Sequence, residues 1–360
     1  MSDSSGAQAG GDPPEGVEPP LTRREASARR EPVVPEPLVV EAPVVAQVPV
    51  SSHIRQARSD FEHQVAHARA EFDQANERII ERTGRNLILA ILIGVAIGAV
   101  LVLSLVFLKW VFILFALAAS ILGIFEFSRA LQKAGRRVDL VPQLIAGTLL
   151  AIAGYFFPQL WLLWVSVFVA VAFVIVWRLV AQMVAKDGRT YGAVLSDALI
   201  AGFLQLYVAL LTSLCVVLLS QEGGEWWVLA FIITVVAADT GAYAAGLTFG
   251  KHPMAPRISP KKTWEGLAGA MIAALIAGAL LAQFMLGLPW WAGLIIGVVI
   301  LATATVGDLG ESMIKRDLGI KDMSSWLPGH GGVLDRLDSI LPSAAAALAL
   351  YYLLSPLAAS

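Results

Sequence analysis

Cysteine is nearly absent from this 360-residue chain: Cys215 stands alone, so no disulfide can close within it and no cysteine-based zinc cluster can assemble. Charge is scarce as well. Only 15% of the residues are charged against 57% hydrophobic, and the mean hydropathy of +0.71 lies outside the range of a soluble globular domain. The formal net charge of -2 offers no excess of basic residues and speaks against a nucleic-acid partner. The N-terminus lacks a basic start followed by an apolar stretch, so nothing there reads as a secretory signal.

What the chain has instead is long apolar runs, near 87–108, 110–128, 139–157, 159–177, 193–219, 226–248, 265–286, 289–307 and 339–355. They predict an all-α, polytopic integral membrane protein with about nine transmembrane helices, since roughly 20 apolar residues span a bilayer. Residues 1–50 are rich in Pro, Ala, Glu and Gly without a periodic apolar face, and are expected to be a disordered cytoplasmic tail. Over 51–85, Phe61, Val65, Ala68, Phe72, Ala75 and Ile79 recur at steps of four and three, the spacing of one stripe on an amphipathic cytoplasmic helix. Residues 86–360 then form the membrane-embedded domain. With the tail in the cytoplasm, the connections near 129–137, 178–189, 249–264 and 308–338 face inward. Those segments and the N-terminal region hold every Lys and Arg of the chain except Lys109.

Ionisable residues inside such runs need a reason to exist, because a charge at the bilayer centre costs about 2.5–3.5 kcal/mol even on lenient scales. Asp239 stands within VVAADTGAYAAGLTFGK, where Gly241, Gly246 and Gly250 thin the helix for another backbone or a ligand. It reads either as a metal or phosphate site or as a neutralised, hydrogen-bonded packing residue. Glu126 and Asp197 lie near span ends and read more simply as satisfied or snorkelling side chains. After the sixth run comes KHPMAPRISPKKTWEGLAG, in which Ser or Thr could cap the seventh helix and Lys261 and Lys262 stand beside its N-terminus. That arrangement suits a triphosphate, although a capped helix alone would account for it.

The eighth run ends in VGDLGESMIKRD, which sets Asp308, Glu311, Ser312 and Lys315 on one helical face, with Asp308 expected at the headgroup level. Pro328, Gly329, His330, Gly331 and Gly332 form a turn whose backbone can approach an anion, flanked by Lys321 and Arg336. Asp335 and Asp338, three apart at a helix start, could share a cation or cap that helix. Hard oxygen ligands of this kind favour Mg²⁺.

The stretch SMIKRDLGIKDMSSWLPGHGGVLDRLD, residues 312–338, together with DTGAY from Asp239 and SPKKTWEG from Ser259, resembles the signature of the CDP-diacylglycerol synthase family, the phosphatidate cytidylyltransferases. The resemblance covers roughly residues 85–355. It implies transfer of the cytidylyl group of CTP to phosphatidic acid, giving CDP-diacylglycerol and pyrophosphate, by a multi-pass cell-membrane enzyme that works with Mg²⁺ and forms a homodimer. On the same basis Asp239 and Asp308 are expected to hold the metal, with Asp335 and Asp338 as further ligands or orienters of a second cation. Lys261, Lys262, Lys315, Arg316, Lys321 and Arg336 are expected to neutralise the triphosphate, the leaving pyrophosphate and the phosphatidate headgroup. Ser259, Ser312, His330, Gly331 and Gly332 complete the expected substrate contacts, and His330 need not act as a base because the attacking phosphate oxygen is already anionic. Two other readings stay open on the residues alone: a CTP-dependent lipid kinase, and a secondary transporter with an anion site at broken helices. Against the transporter stand the lack of a visible inverted repeat and the gathering of polar residues on one face.

Overall fold

The computed structural model describes residues 87–157, 159–185, 187–324 and 331–358. The expected tail over 1–50, the amphipathic helix over 51–85 and His330 lie outside them. Each of the apolar runs is helical: α1 Leu87–Phe107, α2 Lys109–Lys133, α3 Leu140–Phe156, α4 Leu160–Val184, α5 Tyr191–Leu219, α6 Gly224–Phe249, α7 Trp264–Phe284 and α8 Trp290–Asp317, then a single turn α9 Leu334–Leu337 leading into α10 Ile340–Leu354. Seven of these segments are long and apolar enough to cross a membrane, with α9 and α10 counted as one, so the chain is a multi-pass membrane protein. The other two runs expected to cross form α1, whose described apolar part is Gly98–Phe107, and α3, of 17 residues. Phe168, Met183 and Val184 stand far out from the protein interior, as side chains facing lipid must.

Side-chain contacts sort into two ends. At one end, Arg137 pairs with Asp187 at 3.0 Å, joining the α2–α3 and α4–α5 connections, Arg178 of α4 pairs with Asp139 at 3.2 Å, and Arg189 pairs with Asp197 of α5 at 3.1 Å. At the other, Lys109 pairs with Glu225 at 2.7 Å and Tyr351 donates to the carbonyl of Glu222 at 3.3 Å. Lys109, the one basic residue outside the expected inward segments, is therefore matched by an acid. Asp197 is satisfied in the same way, since its Oδ1 also accepts from the Arg137 backbone at 3.2 Å.

Two features depart from uniform α-helix. Within α5, residues Gln205–Leu210 form a π-helical turn. Between α6 and α7 a short antiparallel hairpin, β1 Pro253–Ala255 and β2 Ser259–Thr263, pairs Pro253 with Thr263 and Ala255 with Ser259. Thr263 ends the hairpin and caps α7, its Oγ1 accepting from the Gly266 backbone at 3.1 Å.

The helices that matter for the site meet along small residues, the pattern by which membrane helices bring backbones together. A methyl group at Gly241 of α6 would lie 2.6 Å from the Gly269 carbonyl oxygen of α7. Likewise Gly278 of α7 lies directly against Gly293 of α8, leaving no room for a side chain at either. The glycines of α6 thus admit another backbone, and the same thinning opens a cavity beside it.

Candidate active site

A cavity of about 230 Å³ lies between α6, α7 and α8 with the hairpin beside it. Ala238, Ala270 and Leu301 give it an apolar wall, and Asp239, Asp308, Lys261 and Lys262 supply its charge. Lys262 forms an ion pair with Asp308, bringing β2 and α8 together. Asp308 also accepts from the Ser312 hydroxyl at 3.4 Å, one turn further along the same face. The helix runs past the apolar run to Asp317, so Asp308, Glu311, Ser312 and Lys315 are helical as their spacing predicts. Asp308 therefore sits about 14 Å inside the helix end, and Asp239 about 15 Å from the end of α6, at 1.5 Å per residue. Both carboxylates lie at similar depth on neighbouring helices.

The position of Asp338 depends on Gly307. A methyl group there would lie on the Asp338 carbonyl oxygen and 2.7 Å from the ring of Pro342, so only glycine lets α8 approach the start of α10 this closely. Asp338 is consequently near enough for its charge to act on those of Asp308 and Asp239. Its Oδ1 accepts from the Ser339 backbone at 2.7 Å.

Lys315 and Asp335 belong to a second cluster, off the cavity wall. Lys315 bonds to Asp335 at 2.9 Å and to Glu311 at 3.3 Å, and Glu311, fully buried, accepts from the Tyr207 hydroxyl at 3.3 Å out of the π-helical turn. Asp335 Oδ2 accepts from the backbones of Met323 at 2.9 Å and Gly332 at 2.8 Å. These bonds fix both ends of the loop that joins α8 to α9. Gly331 has φ +81°, a conformation glycine adopts at little cost, and Gly332 donates inward to Asp335. Lys321 and Arg336 are exposed, as is Arg316, whose Nε donates to the Ile258 carbonyl at 3.3 Å and ties the end of α8 to the hairpin. Ser259 lies in β2 opposite Ala255.

Among the described residues no three His, Cys, Asp or Glu side chains converge as a metal cage. Asp239 and Asp308 do line one cavity. Two hard carboxylates fit Mg²⁺, which commonly takes one or two protein carboxylates and completes its shell with water and substrate phosphates.

Sequence reasoning missed Tyr207, Thr305 and Tyr243, the last two on the cavity wall. It assigned Glu126 no role beyond being satisfied, and the structure specifies the partners. Glu126 Oε1 accepts from Ser324 Oγ at 2.5 Å and Val333 N at 3.0 Å, and Oε2 from Leu334 N at 2.9 Å. The available signal was the carboxylate itself, alone among the charged residues of an apolar run.

Comparison with known proteins agrees in family and extent. The model of the cytidylyltransferase family matches residues 88–354. A phosphatidate cytidylyltransferase of Mycobacterium bovis is 41% identical over 279 residues, covering 74% of this chain and 88% of its own length. One of Mycobacterium leprae is 39% identical over 289 residues, covering 76% and 90%. One of Haemophilus influenzae is 47% identical over 122 residues, covering 32% and 42%.

Proposed function

The chain belongs to the cytidylyltransferase family, and from that premise we propose how its residues carry the cytidylyl group of CTP to phosphatidic acid. The products are CDP-diacylglycerol, for phospholipid biosynthesis, and pyrophosphate. An oxygen of the phosphatidate phosphate bonds to the α-phosphorus of CTP as the bond from that phosphorus to the oxygen of the departing pyrophosphate breaks. The attacking oxygen is already anionic near neutral pH. The protein therefore has no strong base to supply, and its work is orientation and neutralisation of phosphate charge.

The observation that carries this assignment is the convergence of Asp239, Asp308, Lys261 and Lys262 on one cavity with an apolar wall. Asp239 and Asp308 would hold Mg²⁺, which when bound draws phosphate oxygens together and offsets their charge. Lys261 and Lys262 meet the triphosphate where β2 sets them at the N-terminus of α7, whose free N–H groups favour an anion. Lys321, Arg316 and Arg336, all exposed, neutralise the headgroup and the leaving pyrophosphate. Lys315 and Asp335 contribute by holding the loop between α8 and α9. Asp338 adds its charge beside Asp308 and orients the metal site.

On this reading α1 and α3 cross the membrane as well, which makes nine crossings, and the connections carrying the hairpin and the loop face the cytoplasm of a cell-membrane enzyme. The enzyme works as a homodimer. CTP reaches the cavity from water while the acyl chains of phosphatidate stay among the helices. Replacing Asp308 with Asn tests the core of the assignment: CTP-dependent product formation is expected to be lost with insertion and melting behaviour preserved. Near-normal turnover in that variant would remove Asp308 from the metal site.

A further inference from the structure

We propose that Glu126 is a positioning residue for cytidylyl transfer, its carboxylate holding Ser324, Val333 and Leu334 and with them the stretches of chain that carry Lys321 and Arg336. The inference rests on the transfer reaction above. Glu126 is 1% exposed, on α2, and its three donors come from 198 to 208 residues further along the chain. They lie on both sides of residues 325–330: Ser324 before, Val333 and Leu334 after. Gly332 lies against the same group, since a methyl there would be 2.7 Å from Glu126 Oε2.

Asp335 grips the same two ends from the other side, through Met323 and Gly332. Through Lys315 and Glu311 it is fastened to α8, the helix that carries Asp308. Glu126 fastens the loop to α2 instead. The basic residues flanking the loop are thereby held between two helices rather than one. Three donors converge on Glu126, so an acceptor-only group is required; the amide of Gln would turn an N–H₂ toward a donor. Glu126 lines no part of the cavity, which separates its role from that of Asp308.

The test uses the purified full chain with phosphatidic acid, Mg²⁺ and CTP, reading kcat, KM for each substrate and the melting midpoint. Glu126→Gln is expected to lower kcat/KM for CTP by about 10- to 100-fold, the scale of a small misplacement of phosphate-binding groups, with the melting midpoint close to that of the wild type. Ser324→Ala, which removes the loop's side of one contact, is expected to cost about 3- to 10-fold and to add little in the Glu126→Gln background, because the two changes break the same clasp. Ser128→Ala, a buried hydroxyl on the same helix without a hydrogen-bond partner among the described residues, should leave kinetics unchanged. Wild-type kinetics in Glu126→Gln, losses that multiply in the double variant, or activity that falls only in step with the melting midpoint would each overturn the proposal. Should Glu126→Gln fail to fold, Ser324→Ala decides: a lowered kcat/KM at unchanged melting supports the clasp, and wild-type kinetics refutes it. A wild-type protein that makes no CDP-lipid would remove the reaction itself, a separate failure.

Discussion

Lys109 and Lys321 carry the same charge in very different settings. Lys109 is held by Glu225 at 2.7 Å at the end of the molecule away from the cavity, whereas Lys321 is exposed beside the loop between α8 and α9. Lys321→Ala is therefore expected to raise KM for CTP or phosphatidate several-fold, and Lys109→Ala to leave both constants near wild type. Steady-state kinetics in detergent compares them, and equal effects would reduce the loop cations to markers of membrane orientation. Individual residues were unevenly legible in the sequence. Asp239 and Asp308 could be singled out because a carboxylate in or beside an apolar run is costly unless something uses it. Lys315 and Asp335 stand out as charge in the same polar stretch of sequence, yet only the fold shows them, on α8 and α9, bonded to each other at 2.9 Å. Glu126 was visible as an anomaly, but its partners lie 198 or more residues away, beyond the reach of any local pattern.

At the scale of elements, the site depends on how closely backbones can approach. Gly307→Ala places a methyl against the Asp338 carbonyl and the Pro342 ring, and overpacking of this kind costs about 1–3 kcal/mol. It should lower the melting midpoint and also reduce turnover, because α8 must shift relative to Asp338. Gly310→Ala, on the same helix with none of the described residues within 4 Å of the new methyl, should instead be neutral or stabilising by up to about 1 kcal/mol. Thermal unfolding and turnover of the two variants give the comparison; the same loss in both would point to a general effect of glycine in this helix. The helices could be read from the sequence because runs of some 20 apolar residues leave few other structures open. The hairpin could not, since Ser259–Thr263 has no alternating apolar face and its pairing is fixed by neighbouring groups. Glu265 supplies part of that fixing by accepting from the Lys251 and His252 backbones at 3.1 and 3.2 Å. The π-helical turn that brings Tyr207 to Glu311 left no trace in an unbroken apolar run.

For the whole molecule, charge is divided by task. The connections between α2 and α3 and between α4 and α5 use basic residues in ion pairs with Asp139, Asp187 and Asp197. The hairpin presents Lys261 and Lys262 to the cavity, and Lys321 of the α8–α9 loop is exposed. Both groups lie at the end proposed to be cytoplasmic, so sealed inverted membrane vesicles should convert added CTP, and right-side-out vesicles should do so only after permeabilisation; the reverse pattern would invert the topology. The distribution of Lys and Arg proposes an orientation, but which cations line the cavity could be seen only in the fold. The most direct test of the central claim follows the label from CTP into lipid, using the purified protein with phosphatidic acid and Mg²⁺. Label at the α-phosphate is expected in a CDP-lipid and label at the γ-phosphate in pyrophosphate alone; γ-label in the lipid, or no labelled lipid at all, would contradict it.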